Sequence, residues 1–381
     1  MRVKKVTGIP WVGGHTDGYV IVEDGPLHDQ SIVCPPSLFL LHLARHRKSL
    51  KSIRSRAEDL KPFFEALAER ELDWRDITDS QMSGYLETTL HAGKGLSDKS
   101  IQRHSSSLRG MYGFTTDSGL SDKAFDFSFT YVRKDGQVKQ GISKKKVFIK
   151  LHTKYINKDL FEIILANVCQ KPGFLRSRDE LALAIGYDAG LRAAEVTSDL
   201  NLSVSKLQAA FVQADQRKEF SITIDVIGKG NKHRRVNLNT RLTNKIRNFI
   251  NGPRKDIPGD FLICKADGSA LSEKHASKVF CSAKQASTPL MKQKIKELAV
   301  DPSAFYTIPS NAIVKLSFHC LRHSYSTNIV TFCNVKGYDP MAYLPDQLGH
   351  SDPEVSKQYI NFEASILNRD KMRDWLSVVA F

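Results

Sequence analysis

The stretch Leu316–Tyr359 constrains this chain more than any other. It reads LSFHCLRHSYST, then a spacer, then LGHSDPEVSKQYIN. His319 and Arg322 stand three apart, so on a helix they share one face. His350 follows a glycine, and Tyr359 comes nine residues later. A guanidinium, two imidazoles and a late phenol describe a site for a phosphodiester and a phenolic nucleophile. The fold has to carry these side chains, and others upstream, to a single phosphate.

Size and charge agree with such a target. At about 100–200 residues per domain, 381 residues suggest two domains, and 41% apolar content is enough for real cores. A net charge of +15 favours a polyanionic partner, nucleic acid first and an acidic membrane second. No run of roughly 18 apolar residues is present, so no membrane span is expected. The N-terminal MRVKKVTGIPWVGG lacks the apolar core of a secretion signal. The 6 cysteines are scattered without a CxxC pair, which fits reduced thiols in a cytosol better than disulfides or zinc.

Along the chain, residues 1–32 read as an extension with a short strand and turn in YVIVEDG, packed on the next domain. Residues 33–120 are helical in pattern. SIRSRAEDLKPFFEALAER places Ile53, Ala57, Leu60, Phe63, Phe64 and Leu67 at three- and four-residue steps. A further helix, opened by Ser97, carries Lys99, Arg103 and Arg109 among serines, a pattern that suits phosphate contacts and equally a solvated face. Residues 121–154 read as a basic linker, with Lys144, Lys145 and Lys146 as phosphate-tracking candidates. A second domain, 155–381, opens with the amphipathic KDLFEIILANV, and SRDELALAIGYDAG predicts a helix ended by Gly190 in a left-handed turn. Strand-like runs follow in AAFVQA, FSITIDVIG and HRRVNLN, with GKGN at 228–231 as a hairpin turn. Helical patterns return at 241–251, about 272–299 and 311–334. The class is therefore mainly α with a small antiparallel β-sheet (α+β).

Taken singly, the chemical candidates have plain alternatives. Arg192 and Glu195 read as a surface ion pair, and Lys229 and Lys232 as a solvated hairpin tip. His319 reads as a core histidine, His350 as a helix cap and Tyr359 as a packing residue. Their order changes the reading: GLR-xx-E, GKGNK, HCLRH, then LGH with a tyrosine after nine residues. AIGYDAGLRAAEV, SFHCLRHSYST and LGHSDPEVSKQYIN resemble the three boxes of the tyrosine recombinase (phage integrase) family. The resemblance covers about 155–365, and more loosely 36–120, which is similar to that family's helical core-binding (SAM-like) domain.

The resemblance implies roles. Arg192 and Arg322 would grip the non-bridging oxygens, and Lys229 would protonate the leaving 5′-oxygen. His319 would assist proton transfer near the nucleophile, and His350 would bond the phosphate. Tyr359 would form a 3′-phosphotyrosyl bond, with Glu195 orienting the arginines. Elementary chemistry points the same way. Fixed guanidiniums stabilise equatorial charge without reorganising, and a phenol with a reference pKa near ~10 needs help to ionise. No metal is expected, because no DxD cluster or HExxH stands beside these residues, and no ATP, because the ester to the protein conserves the bond energy. Implied partners are double-stranded DNA at recombination or attachment sites, a homo-tetramer on that DNA, and accessory DNA-bending or directionality proteins. The implied location is the bacterial cytoplasm, in association with the nucleoid. Met372, Trp375, Leu376 and Val379 form a stripe that packs on its own domain or docks on a neighbouring protomer. Two intervals, Arg322 to His350 and 281–315, are longer than the family's short versions. Rival readings are a type IB topoisomerase-like relaxing enzyme and a non-catalytic, sequence-specific DNA-binding regulator.

Overall fold

The computed structural model describes the chain except residues 12–13, 27–29, 134, 143–149, 169–172, 229, 302–305, 350–351 and 380–381, and except the side chains of 11 and 367–379. Two units emerge, Met1–Lys146 and Val147–Phe381. Lys144, Lys145, Lys146, Lys229 and His350 therefore lie outside the described residues. Among those described, no helix is long and apolar enough to cross a membrane.

The first unit starts with an antiparallel hairpin, β1 (Arg2–Trp11) and β2 (Gly14–Val22), bulged between Val6 and Ile9. Ile21 of β2 is fully buried in the unit's core. Helices α1 (Cys34–Arg45), α2 (Leu50–Glu69), α3 (Asp79–Gly84) and α4 (Asp98–Asp117) build the body, and α3 runs on as a π-helical segment, Tyr85–Gly93. Prolines open α1, and hydroxyls set the starts of α2, α3 and α4. Ser49 and Ser97 accept from the backbone N–H three residues on, and Thr78 forms a capping box with Gln81. Ile53, Leu60, Phe63, Met82, Leu86, Ile101, Leu108 and Met111 fill the centre.

The stretch expected as a linker is in its first half part of this unit. Phe127, Phe129 and Tyr131 are buried in the same core, and β3 (Thr130–Val132) pairs with β4 (Val138–Gln140). Burying aromatic surface outweighs the solvation that basic neighbours such as Arg133 would otherwise draw. Arg103, a candidate for phosphate contact, also makes a bond inside the unit. Its guanidinium holds Asp59, which is 1% exposed, through Nε at 2.8 Å and Nη2 at 2.7 Å. Ser107 Oγ donates to the other carboxylate oxygen at 3.0 Å. Arg109 stacks over the Phe129 ring at 5.7 Å, while Lys99 is exposed.

The second unit contains α5 (Lys158–Ala166), α6 (Phe174–Asp188), α7 (Ala193–Val196), α8 (Val204–Gln216), β5 (Ile222–Ile227), β6 (His233–Leu238), α9 (Thr240–Asn251), α10 (His275–Val300), α11 (His319–Lys336), α12 (Pro340–Leu348) and α13 (Pro353–Val379). AAFVQA, read as strand-like, belongs to α8. Ser203 caps that helix, and Leu207, Phe211 and Ala214 recur at helical spacing on its buried side. The helix expected over 311–334 is broken: a 3₁₀ turn, Ser310–Lys315, gives way to extended Leu316 before α11 begins. The break puts His319 in the first turn of α11.

Helix α11 is the axis of this unit. Every residue from Cys320 to Thr327 is buried. Its hydroxyls avoid a desolvation cost by bonding carbonyls one turn back: Ser324 Oγ to Cys320 O at 3.1 Å, Ser326 Oγ to Arg322 O at 2.7 Å and Thr327 Oγ1 to His323 O at 3.2 Å. In β6 the alternation points Arg234, Val236 and Leu238 inward together.

Removing the buried anion at Asp59 tests the first unit. Asp59→Asn keeps the shape but loses charge-assisted bonds, and is expected to cost about 1–3 kcal/mol. The readout is a lower urea midpoint with an unchanged slope.

Candidate active site

The site begins where α6 ends. Gly190 turns the chain left-handed at φ +64°, and a Cβ there would lie 2.4 Å from the Tyr325 ring, so both conformation and space demand glycine. Its carbonyl accepts from Arg322 Nη1 at 2.7 Å. The other terminal nitrogen of Arg322 donates to Leu348 O at the end of α12. Arg322 is 2% exposed, so α11 supplies a guanidinium held on two backbone carbonyls from distant segments.

Two residues beyond Gly190, Arg192 opens the short α7. Glu195 folds back over it, accepting from Arg192 N at 2.8 Å and from Arg192 Nη1 at 2.8 Å. The same carboxylate receives Arg234 from β6, through Nη1 at 3.1 Å and Nη2 at 2.7 Å. Arg234 Nε continues to Gln347 O at 3.1 Å. Burial alone would raise the Glu195 pKa. The hydrogen bonds and charges of Arg234 and Arg192 outweigh it and hold the carboxyl at about 2. Thus Glu195 is ionised at any working pH.

Arg322 sits in burial beside Arg192 and Arg234, and all three effects pull its pKa down; it stays protonated at neutral pH. His319 is also pulled down, to about 4, by crowding of its ring and then by Arg322, Arg192 and Lys154. Its surface is nonetheless exposed, so it forms a neutral rim rather than a core residue. Tyr359 lies on α13, 2% exposed, and senses the charges of Arg322 and Arg192; burial still raises its pKa. The histidine that reaches its phenol is His323, with Nδ1 at 2.8 Å from Oη. The His319 ring packs edge-on against His323, with centroids 4.6 Å apart.

Lys229 and His350 are outside the description, but their chain neighbours are not. At Gly228, a Cβ would stand 2.9 Å from Arg234 Nη1, 3.2 Å from Glu195 Oε1 and 3.5 Å from Arg192 Nη1. At Gly349, which is left-handed at φ +62°, it would stand 3.1 Å from Arg234 Cδ. Both glycines thus pack on the arginine–carboxylate knot. Lys232 is exposed at the hairpin end.

The structure therefore gathers Arg192, Glu195, His319, Arg322 and Tyr359 in one unit, and adds Arg234 and His323, which the sequence reading passed over. For Arg234 the usable signal was its inward phase with Val236 and Leu238. For His323 there was no local signal beyond a fourth-residue step from His319. The chemistry available is anion binding by fixed guanidiniums beside a buried phenol.

Replacing Glu195 by Gln is expected to cost about 3 kcal/mol near neutral pH, because buried Arg234 and partly exposed Arg192 lose their counter-charge. Its carboxyl is depressed on folding, so its contribution is full above the unfolded value near 4.5 and fades as pH falls towards about 2. The stability gap between wild type and Glu195→Gln, read by urea unfolding, should shrink across that window.

Comparison with known proteins follows the same lines. Residues 154–365 match the phage integrase family, and residues 37–119 match the phage integrase N-terminal SAM-like domain. A tyrosine recombinase of Pseudothermotoga lettingae is 24% identical over 85% of this chain and 91% of its own. Tyrosine recombinase XerC of Chlorobaculum tepidum is 23% identical over 84% of this chain and 88% of its own. Among solved structures, XerH site-specific recombinase bound to palindromic difH substrate aligns with TM-score 0.53 at 18% identity, covering 85% of this chain and 80% of that one. A lambda integrase tetramer bound to a Holliday junction aligns with TM-score 0.52 at 15% identity, covering 84% and 77%. With more than half of its length matching the catalytic family, and its fold shared with these structures, the chain belongs to the phage integrase family of tyrosine recombinases.

Proposed function

We propose that this protein is a site-specific DNA recombinase, an integrase or transposase, that cuts and rejoins strands through a 3′-phosphotyrosyl bond on Tyr359. The observation that carries the proposal is the company Tyr359 keeps: a buried phenol under the influence of Arg322 and Arg192, the latter locked by Glu195. Arg192 and Arg322 hold the scissile phosphate, and their charge stabilises the crowded equatorial oxygens during attack. His319, neutral at the rim, donates to or accepts from the phosphate side and helps proton movement there. Lys229 protonates the departing 5′-oxygen, and His350 bonds the phosphate. No metal or nucleotide enters this scheme.

The partner is duplex DNA, in keeping with the +15 charge and with DNA-bound relatives such as XerH on difH. Exposed Lys99, Arg109 and Lys232 are candidate phosphate contacts, with Lys144, Lys145 and Lys146 alongside. Arg103 is a weaker candidate, being tied to Asp59. Assembly is a homo-tetramer, as for lambda integrase on its Holliday junction. The stripe Met372, Trp375, Leu376 and Val379, whose side chains lie outside the described residues, is the candidate for docking on the neighbouring copy. The working location is the nucleoid, with accessory DNA-bending or directionality proteins as further partners.

The test is covalent capture. Wild-type protein incubated with nicked duplexes carrying a randomised segment should retain a subset as SDS-resistant adducts, and the recovered duplex then serves as substrate. Tyr359→Phe should form no adduct while shifting that duplex with unchanged affinity; an adduct in this variant would remove Tyr359 as nucleophile. Arg192→Ala should slow adduct formation by about 100–1,000-fold. Affinity for the duplex should fall steeply with salt, since many phosphates are neutralised. A flat salt response would count against DNA as the partner.

A further inference from the structure

A phenol that attacks phosphorus must give up its proton, and Tyr359 is poorly placed to lose it to water. Its side chain is 2% exposed, and burial raises its pKa despite Arg322, Arg192 and a bond with Ser326. Phenolate is therefore scarce at neutral pH, and an acceptor within hydrogen-bond reach is required. His319 cannot be assigned that place on geometry, because its ring leans on His323 and it is His323 Nδ1 that lies 2.8 Å from Oη. His323 is 4% exposed and sits in the fully buried stretch of α11, one residue after Arg322. The two rings lie tilted at 34° with centroids 5.9 Å apart, so the contact is nitrogen to oxygen rather than face to face.

We propose that His323 is a catalytic residue: its Nδ1 accepts the Tyr359 proton during strand cleavage and returns it during rejoining. The inference rests on the recombinase reading given above. In cleavage, Oη–H breaks as Nδ1–H forms, Oη–P forms as P–O5′ breaks, and the 5′-oxygen takes its proton from a separate acid, Lys229 in this scheme. In rejoining, an incoming 5′-hydroxyl gives its proton to that acid's conjugate base and attacks phosphorus, while the departing phenolate recovers its proton from the His323 imidazolium. No oxidant, metal or further reactant is needed. The imidazolium forms as negative charge builds on the attacked phosphate and persists beside the singly charged phosphotyrosyl diester until rejoining, so each charge offsets the other. The scheme requires neutral His323 with its proton on Nε2, leaving the Nδ1 lone pair to face the phenol.

Two experiments decide it. The first uses DNA-free wild-type protein and nitrogen-15 NMR of the histidine rings. His323 Nδ1 should be unprotonated at neutral pH, and its signal should move in Tyr359→Phe. A proton resident on Nδ1 would overturn the proposal whatever the DNA site is. The second uses the duplex recovered by covalent capture. His323→Asn keeps a hydrogen-bonding atom near the Nδ1 position but cannot take up a proton. It should bind that duplex as wild type does and form adduct at least ~100-fold more slowly. A duplex with sulfur at the bridging 5′ position, whose thiolate leaves without protonation, should restore Lys229→Ala but not His323→Asn. Wild-type rates in His323→Asn, or rescue by sulfur, would show that His323 is not the proton acceptor. If wild-type protein captures no duplex at all, the recombinase reading fails and this proposal falls with it.

Discussion

One carboxylate organises the catalytic unit. Glu195 uses both oxygens twice, taking Arg192 through its backbone and side chain and Arg234 through two guanidinium nitrogens. Arg234 passes the tie on to Gln347 O, and Arg322 closes the ring by bonding Gly190 O and Leu348 O. The α6–α7 turn, the hairpin strand β6, α11 and the end of α12 thereby hold one another in register. The charge is deliberately incomplete in its balance: three guanidiniums face one carboxylate, and neutral His319 adds nothing. With Arg234 and Arg322 buried and Arg192 only partly exposed, like charges gathered here are costly unless an anion arrives. The site is thus most comfortable when a phosphate is present, which is the property a phosphoryl-transfer centre needs.

Rigid support comes from an unusual helix. Most helices bury one stripe, whereas α11 is covered on all sides from Cys320 to Thr327. A polar helix survives there because its serines and threonine bond their own backbone, and because Arg322 finds carbonyls. Around its lower half, Tyr325, Val330, Leu344, Leu348, Tyr359 and Phe362 form a separate apolar cluster. Tyr359 is therefore a packing residue and the proposed nucleophile at once, so its position is defined before DNA arrives.

Much of this was readable in the residues. Arg192, Glu195, His319, Arg322 and Tyr359 belong to short runs whose chemistry tolerates few substitutes, and Gly190 carried its own conformational signal. Arg234 was hidden because KHRR reads as a solvated basic run; only the inward alternation with Val236 and Leu238 separates it from Arg235. His323 was hidden because its significance depends on a partner 36 residues away. AAFVQA looked like a strand because six residues are too few to show a 3.6 period, whereas Ser203 and the Leu207–Phe211–Ala214 spacing show it over the longer window. The stretch 121–154 was read by its charge, which masked the alternating Phe125, Phe127, Phe129 and Tyr131. The charge of Arg103 was legible, but its bond to a buried acid 44 residues earlier was not.

The enclosure of Cys320–Thr327 in α11 has a bearing on what a partly folded chain can do. The stretch of α11 from Cys320 to Thr327 has no solvent-facing side, so it is complete only when the surrounding helices are packed on it. Arg322, His323 and the seat of Tyr359 therefore depend on one and the same closed packing. A nascent or partly denatured chain carries every reactive side chain and yet holds no competent centre. Competence at this centre is thereby tied to the completeness of the unit's packing.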